Sequence, residues 1–131
     1  DTVLNPAGIR IGTSEIYRPV EEMSEIMDSL VVAQPWESDV RIVLFVVLRD
    51  GLKLDAELVA KIKAAVRLDN TPRHVPSLIL SIPEVPRTIS GKKVEKAALQ
   101  TIKREIVENT AALANPESLD YFSKLSKELM Q

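Results

Sequence analysis

The chain has 131 residues, of which 45% are hydrophobic and 27% are charged, and its formal net charge is −2. These values are typical of a single globular domain with a modest core. No apolar run approaches the roughly 18 residues that a membrane span needs, and the absence of cysteine excludes disulfides and fits a reducing, cytoplasmic compartment. Since the first residue is Asp rather than Met, we expect a piece of a longer protein.

Charge is distributed unevenly along the chain. Residues 61–104 contain ten Lys or Arg against three Asp or Glu, a local balance of +7, whereas the remainder has a balance of −9. The acidic net charge disfavours a nucleic-acid-binding function. An acidic protein with a basic middle suits a compact polyanionic ligand better than a long polymer.

The first half of the sequence predicts a hairpin, a helix and two strands. Short extended pieces flank residues 5–8, where Pro and Gly favour a tight turn. A helix is predicted from about Thr13, with a kink or an early stop at Pro19. β-Branched residues predict strands over residues 29–33 and 40–48. The second strand is apolar nearly throughout, which predicts a central strand covered on both faces.

The second half predicts a helix over residues 55–68 that is capped by its first residue, a strand over residues 77–81 and a helix over residues 92–107. Asn115 followed by Pro116 predicts the start of a last helix, with Asn as the N-cap. The order β-β-α-β-β-α-β-α-α indicates an α+β fold. We expect a small three-stranded sheet packed by helices, with an N-terminal β-hairpin and an added C-terminal helix.

A basic segment carries the strongest functional signal in the sequence. Arg87, Lys92, Lys93 and Lys96 lie near a predicted helix start, where the helix dipole disfavours each cation by roughly 0.3–1 kcal/mol. With Gly91 beside them, they are consistent with an anion site, whereas these residues taken alone favour a solvated basic turn. A P-loop is excluded, because that motif needs another Gly five residues before Gly91 and a Ser or Thr two residues after it.

The sequence gives little support for a metal site, a catalytic histidine or a nucleophilic serine. The only histidine is His74, and the chain has no cysteine, so a metal site is disfavoured. His74 lies in a predicted turn, where a structural or surface position is favoured over catalysis. No serine lies in a nucleophile-elbow pattern.

Two motifs resemble those of the adenylate-forming enzymes, the acyl-CoA synthetase superfamily. The segments DTVLN, GIRIG and EI at residues 1–5, 8–12 and 15–16 resemble the linker motif that opens the C-terminal domain of these enzymes. The segments PRT and SGK at residues 86–88 and 90–92 resemble the second signature of that domain, which contains its catalytic lysine. Within the superfamily, the stretches that resemble the acetoacetyl-CoA synthetase family are residues 4–6, 14–17, 73–80, 91–95 and 115–120.

The resemblance implies a domain organisation. Residues 1–131 would form the C-terminal lid domain of a longer synthetase, with the hinge and hairpin in residues 1–12 and a C-terminal extension helix in residues 109–131. Asp1 would be the hinge residue.

The resemblance also implies the site residues. Lys92 would be the catalytic residue and would contact the nucleotide, bridging the acid carboxylate and the α-phosphate of ATP. Ala7 and Gly8 would line the pantetheine tunnel of coenzyme A. Arg10 would lie near the nucleotide phosphates, and Arg67 would contact a phosphate of coenzyme A.

The implied function is that of an AMP-forming acetoacetate–CoA ligase. Its ligands would be acetoacetate, coenzyme A and ATP, with Mg²⁺ bound mainly outside this domain. Its main partner would be its own N-terminal adenylation domain, and we expect neither nucleic acid nor membrane as a partner and no activity of the isolated chain. Two alternatives stay open: a ligase for another short-chain acid, and a free-standing module that binds phosphate or nucleotide through the basic middle.

Overall fold

The computed structural model describes residues 2–130, which fall into two compact units that meet between Ile82 and Pro83 in the sequence. The hinge predicted at Asp1 lies outside the described residues. In chain order the strands and helices are β1 (Val3–Leu4), β2 (Ile11–Gly12), α1 (Thr13–Glu21), β3 (Ile26–Trp36), β4 (Asp39–Leu48), α2 (Ala56–Asp69), β5 (Leu78–Ser81), α3 (Glu95–Ile102) and α4 (Leu119–Leu129). This order confirms the predicted α+β fold.

The first unit contains a mixed three-stranded sheet in the order β3-β4-β5. β4 pairs antiparallel with β3 and parallel with β5, so it is the central strand, as predicted. Residues 42–46 are all buried, and because side chains alternate between the two faces of a strand, β4 is covered on both. β3 is longer than the predicted residues 29–33, because its pairing with β4 continues through Asp28 and Pro35, which strand propensity disfavours.

Helices α1 and α2 supply the core of the first unit. Ile16 and Val20 of α1 and Ile62 and Val66 of α2 are fully buried in one hydrophobic cluster with alternate residues of the sheet. Their spacing follows the helical period, and each buried side chain of this size contributes about 1.5–3 kcal/mol. α1 ends two residues after Pro19, which confirms the predicted early stop.

Helix α3 of the second unit is shorter at both ends than the predicted residues 92–107. At its start, Lys93 is held in an antiparallel bridge with Arg87, so the helix begins only at Glu95. At its end, Arg104 adopts a left-handed conformation with φ of +59°. The amide of Glu105 then donates to the carbonyl of Gln100 at 2.9 Å. This is the 6→1 hydrogen bond of a Schellman motif, which ends the helix.

The final helix opens at the predicted place, with Asn115 at the N-cap position and Pro116 after it, but its first turn is 3-10 and the Asn115 side chain does not cap it. A 3-10 turn covers Pro116–Ser118, and α4 starts at Leu119. The side chain of Asn115 makes no capping hydrogen bond to this turn, because it is bound to the basic segment instead. Phe122 and Leu129 form the buried side of α4.

The N-cap of α2 allows a stability test. The Asp55 Oδ1 atom accepts a hydrogen bond from the Leu58 amide at 2.8 Å, as expected for a good N-cap. Asp55→Ala should lower the free energy of unfolding of the chain by about 1 kcal/mol in urea denaturation, because one amide of the first turn loses its partner. Asp55→Asn should stay within a few tenths of the wild type. An equal loss in both variants would contradict the capping assignment.

Candidate functional site

The basic segment forms a tight hairpin rather than a helix start. We call residues 87–93 the lysine hairpin. The Thr88 amide donates to the Lys92 carbonyl at 2.8 Å, and the Gly91 amide donates to the Thr88 carbonyl at 2.9 Å. Three residues therefore form the loop, and Gly91, with φ of +94°, occupies the left-handed position that such loops use.

This geometry corrects the electrostatic argument made from the sequence. Lys92 and Lys93 precede α3 instead of lying in its first turn, and that turn carries the acid Glu95, which the helix dipole favours. The anion site predicted here therefore rests on the lysine hairpin itself and not on the end of a helix.

Side chains within the lysine hairpin brace its loop. Arg87 donates from Nη1 to the carbonyl of Gly91 at 2.7 Å. The Thr88 hydroxyl accepts from the Lys92 amide at 3.0 Å and lies 3.0 Å from the hydroxyl of Ser90. Lys92 is exposed, and its ammonium has neither a hydrogen bond nor an ion pair within residues 2–130. The hairpin thus presents an uncompensated cation on a braced loop.

The second candidate element is the turn at residues 5–8, which we call the tunnel turn. Ala7 and Gly8 both have left-handed backbones, with φ of +52° and +79°. The Gly8 amide donates to the Asn5 carbonyl at 3.2 Å. A β-carbon added to Gly8 would meet nothing within 4 Å, so within its own unit only the backbone conformation favours glycine here.

Asp39, at the start of β4, fixes the conformation of the tunnel turn. Its Oδ2 atom accepts a hydrogen bond from the Ala7 amide at 2.9 Å, and Ala7 and Gly8 are both exposed. A left-handed alanine costs on the order of 1 kcal/mol, and a bond to a carboxylate is among the stronger hydrogen bonds available to offset this cost. No pattern in the sequence points to Asp39, because the contact joins residues 32 positions apart.

The two arginines implied by the resemblance lie on different elements of the first unit. Arg10 immediately precedes β2, two residues after Gly8, and Arg67 lies in the last turn of α2. Both side chains are exposed. The structure thus brings Ala7, Gly8 and Arg10 into one short segment, whereas Arg67 comes from a helix and Lys92 from the second unit.

His74 is buried, and its non-catalytic role stays a prediction. Its Nδ1 atom lies 3.0 Å from the Thr71 hydroxyl, and its Nε2 atom lies 3.6 Å from a carboxylate oxygen of Glu15. Among residues 2–130, no group of three or more His, Cys, Asp or Glu could hold a metal ion. None of the helices in that range is long and apolar enough to cross a membrane.

Known proteins are similar in sequence to nearly the whole of this chain. The chain is 48% identical over 127 residues to acetoacetyl-coenzyme A synthetase of Rhizobium meliloti, covering 97% of this chain and 20% of that protein. It is 47% identical over 123 residues to acetoacetyl-CoA synthetase of Rattus norvegicus, covering 93% of this chain and 18% of that protein. The chain belongs to the acetoacetyl-CoA synthetase family. It spans about a fifth of the length of these relatives.

A solved structure confirms the assignment at the level of the fold. The acetoacetyl-CoA synthetase of Streptomyces lividans matches with a TM-score of 0.86 and 30% identity, over 98% of this chain and 19% of that one. The acyl-CoA synthetase of Brucella canis matches 71% of this chain, and 17% of its own chain is covered, with a TM-score of 0.65 and 26% identity. Our chain corresponds to the C-terminal domain of such synthetases. A search against protein-family models found no match.

Proposed function

We propose that this chain is the C-terminal lid domain of an AMP-forming acetoacetate–CoA ligase. The observation that carries the proposal is its similarity, over nearly its whole length, to proteins named acetoacetyl-CoA synthetases. The exposed cation on the lysine hairpin and the separate tunnel turn support it, because the two half-reactions of such an enzyme need two different surfaces. The expected compartment is the cytoplasm.

Lys92 serves the first half-reaction. A carboxylate oxygen of acetoacetate attacks the α-phosphorus of ATP, the bond to the β-phosphate breaks, and pyrophosphate leaves. The attack brings two anions together, so an ammonium group aimed at both stabilises the transition state more than the separated reactants. Lys92 is suited to this position because it is exposed and, in the part of the chain that the structure describes, its charge is not already neutralised.

The tunnel turn serves the second half-reaction. The sulfur of coenzyme A attacks the acyl carbon of the adenylate, the mixed anhydride bond breaks, AMP leaves, and the thiol gives up its proton. Ala7 and Gly8 line the path of the pantetheine arm, where the absence of a side chain at Gly8 leaves the path open. Arg67 contacts a phosphate of coenzyme A, and Arg10 lies near the phosphates of the nucleotide.

Alternation between these two surfaces requires a partner and a hinge. The partner is the N-terminal adenylation domain of the same enzyme, which also holds most contacts to Mg²⁺ and sets acid specificity. The hinge and hairpin lie in residues 1–12, with Asp1 as the hinge residue, and residues 109–131 are a C-terminal extension. Rotation of the lid about the hinge presents Lys92 and then Gly8 to one active site.

A panel of short carboxylic acids tests the proposal with the full-length enzyme. We expect acetoacetate to give the highest kcat/KM for CoA-dependent AMP formation, with acids that lack the 3-oxo group at least about 10-fold lower, since a lost polar contact in a buried site is costly. A higher kcat/KM for another short-chain acid would show that this acid, and not acetoacetate, is the substrate. Tight binding of ATP or coenzyme A by the isolated chain, measured by calorimetry, would instead support a free-standing module.

A further inference from the structure

We propose that Asn115 is a positioning residue for the adenylation half-reaction, because its side chain fixes the lysine hairpin that carries Lys92. The inference rests on the proposed function and deepens it. Asn115 belongs to the loop before α4, and it lies 28 positions from its hairpin partner Arg87. The motif that contains Lys92 does not include it.

The Asn115 amide binds both a donor and an acceptor of the same backbone strand. Its Oδ1 atom accepts from the Arg87 amide at 2.9 Å, and its Nδ2 group donates to the Val85 carbonyl at 2.9 Å. Nδ2 also donates to the Glu84 carboxylate. Since a backbone N–H can only donate and a carbonyl can only accept, these partners fix the orientation of the amide. Among side chains of this length, only asparagine provides both functions.

Backbone bonds extend this contact along the lysine hairpin. The Ala114 amide donates to the Arg87 carbonyl at 2.9 Å, and the Ile89 amide donates to the Ala112 carbonyl at 3.2 Å. Thr88 and Leu113 form an antiparallel bridge between them. The first strand of the hairpin is therefore clamped on its outer edge by the segment that ends at Asn115.

The contacts of Asn115 are linked to Lys92 by the pairing between the two strands of the lysine hairpin. Arg87, which Asn115 binds, pairs with Lys93, and Thr88 binds both the carbonyl and the amide of Lys92. On its other side, the Asn115 carbonyl accepts from the buried hydroxyl of Ser118 at 2.7 Å, which ties the clamp to the start of α4. Loss of the amide would remove the side-chain part of this clamp and loosen the hairpin edge, while the ammonium of Lys92 stays chemically intact.

The test measures the two half-reactions separately in the full-length enzyme. Asn115→Ala should lower kcat of acetoacetate-dependent pyrophosphate release about 10- to 100-fold, because a displacement on the order of 1 Å can cost 10²-fold. Thioester formation from supplied acetoacetyl-adenylate and CoA should stay within about 3-fold of the wild type, and KM for ATP should change less than kcat. A general loss of folding would lower both half-reactions together, and that result would overturn the inference.

A rescue pair sharpens the test. Asn115→Asp keeps the acceptor for the Arg87 amide but places a second carboxylate against that of Glu84, so adenylation should fall as in Asn115→Ala. Adding Glu84→Gln supplies a donor in place of the repelling acid and should recover at least about 3-fold of the adenylation rate. No recovery, with Glu84→Gln alone near wild type, would overturn the clamp as described.

Glu117→Gln is the matched control, because this exposed acid lies in the same turn and lacks contacts to the lysine hairpin within the described residues. It should leave both half-reactions unchanged. If the wild-type enzyme adenylates acetoacetate and Asn115→Ala does so equally well, the positioning inference fails while the proposed function stands. If the wild-type enzyme adenylates no carboxylic acid, both the proposed function and the positioning inference fail.

Discussion

Lys92→Ala in the full-length enzyme should lower acetoacetate-dependent pyrophosphate release by at least about 10²-fold, the scale of loss when one group that stabilises developing charge is removed. Thioester formation from supplied acetoacetyl-adenylate should remain within about 3-fold of the wild type. The division is expected because Lys92 lies on the lysine hairpin, an element separate from the tunnel turn. Burst and single-turnover assays of each half-reaction provide the measurement.

Two further variants separate a specific contact from a general effect of charge. Lys96→Ala removes an exposed cation from α3, four residues away, and should change pyrophosphate release less than about 3-fold, since an exposed charge is well screened. Lys92→Arg keeps the charge but changes its shape and should recover only part of the activity. Equal losses in both half-reactions for Lys92→Ala would contradict the assignment of Lys92 to adenylation alone.

Gly8→Leu should show the reverse pattern. A leucine side chain on the tunnel turn would fill the path of the pantetheine arm, so thioester formation from supplied adenylate should fall at least about 10²-fold, the scale expected when reacting atoms are kept from their productive positions. Acetoacetate-dependent pyrophosphate release should stay within about 3-fold of the wild type. The same half-reaction assays apply, and normal turnover of CoA in this variant would exclude the tunnel assignment.

The control for Gly8→Leu is Gly51→Leu. Gly8 and Gly51 share a left-handed backbone, with φ of +79° and +85°, and a β-carbon at either position meets nothing within 4 Å. Both variants therefore impose a similar backbone strain, on the order of 1–3 kcal/mol. Gly51 lies in the turn after β4, so its variant should lose stability and keep both half-reactions. A comparable loss of thioester formation in Gly51→Leu would show that strain, not blockage, is responsible.

Short-range patterns in the sequence predicted most of the secondary structure. The apolar run of β4, the helical spacing of α2 with its Asp55 cap and the early stop of α1, two residues after Pro19, all appear in the structure. Each of these features depends on neighbours within a few residues, where propensity and capping dominate. The family motifs likewise lie in short segments, so the resemblance selected Lys92 and Gly8 without any structure.

Two predicted helix starts differ in detail from the structure, because a hydrogen bond outside the helix replaced a local one. Asn115 followed by Pro has the sequence of a helix start, but its amide is bound to Arg87 and Val85 instead. Lys93 is held in a bridge rather than in a helix, so α3 begins later than its apolar pattern suggested. The Asn115 contacts join residues 28 and 30 positions apart, whereas the Lys93 bridge closes the short lysine hairpin; in both cases a hydrogen bond outside the helix replaced the local one.

The sequence by itself determined the α+β fold, the central strand and the basic loop with its glycine, because these depend on composition, periodicity and turn chemistry. Only the tertiary structure revealed the three-residue hairpin that presents Lys92 and the carboxylate of Asp39 that holds the tunnel turn. It also revealed the Asn115 clamp. The contacts of Asp39 and Asn115 join residues 32 and 28 positions apart, and hydrogen-bond partners at that separation are chosen by the folded backbone rather than by neighbouring residues.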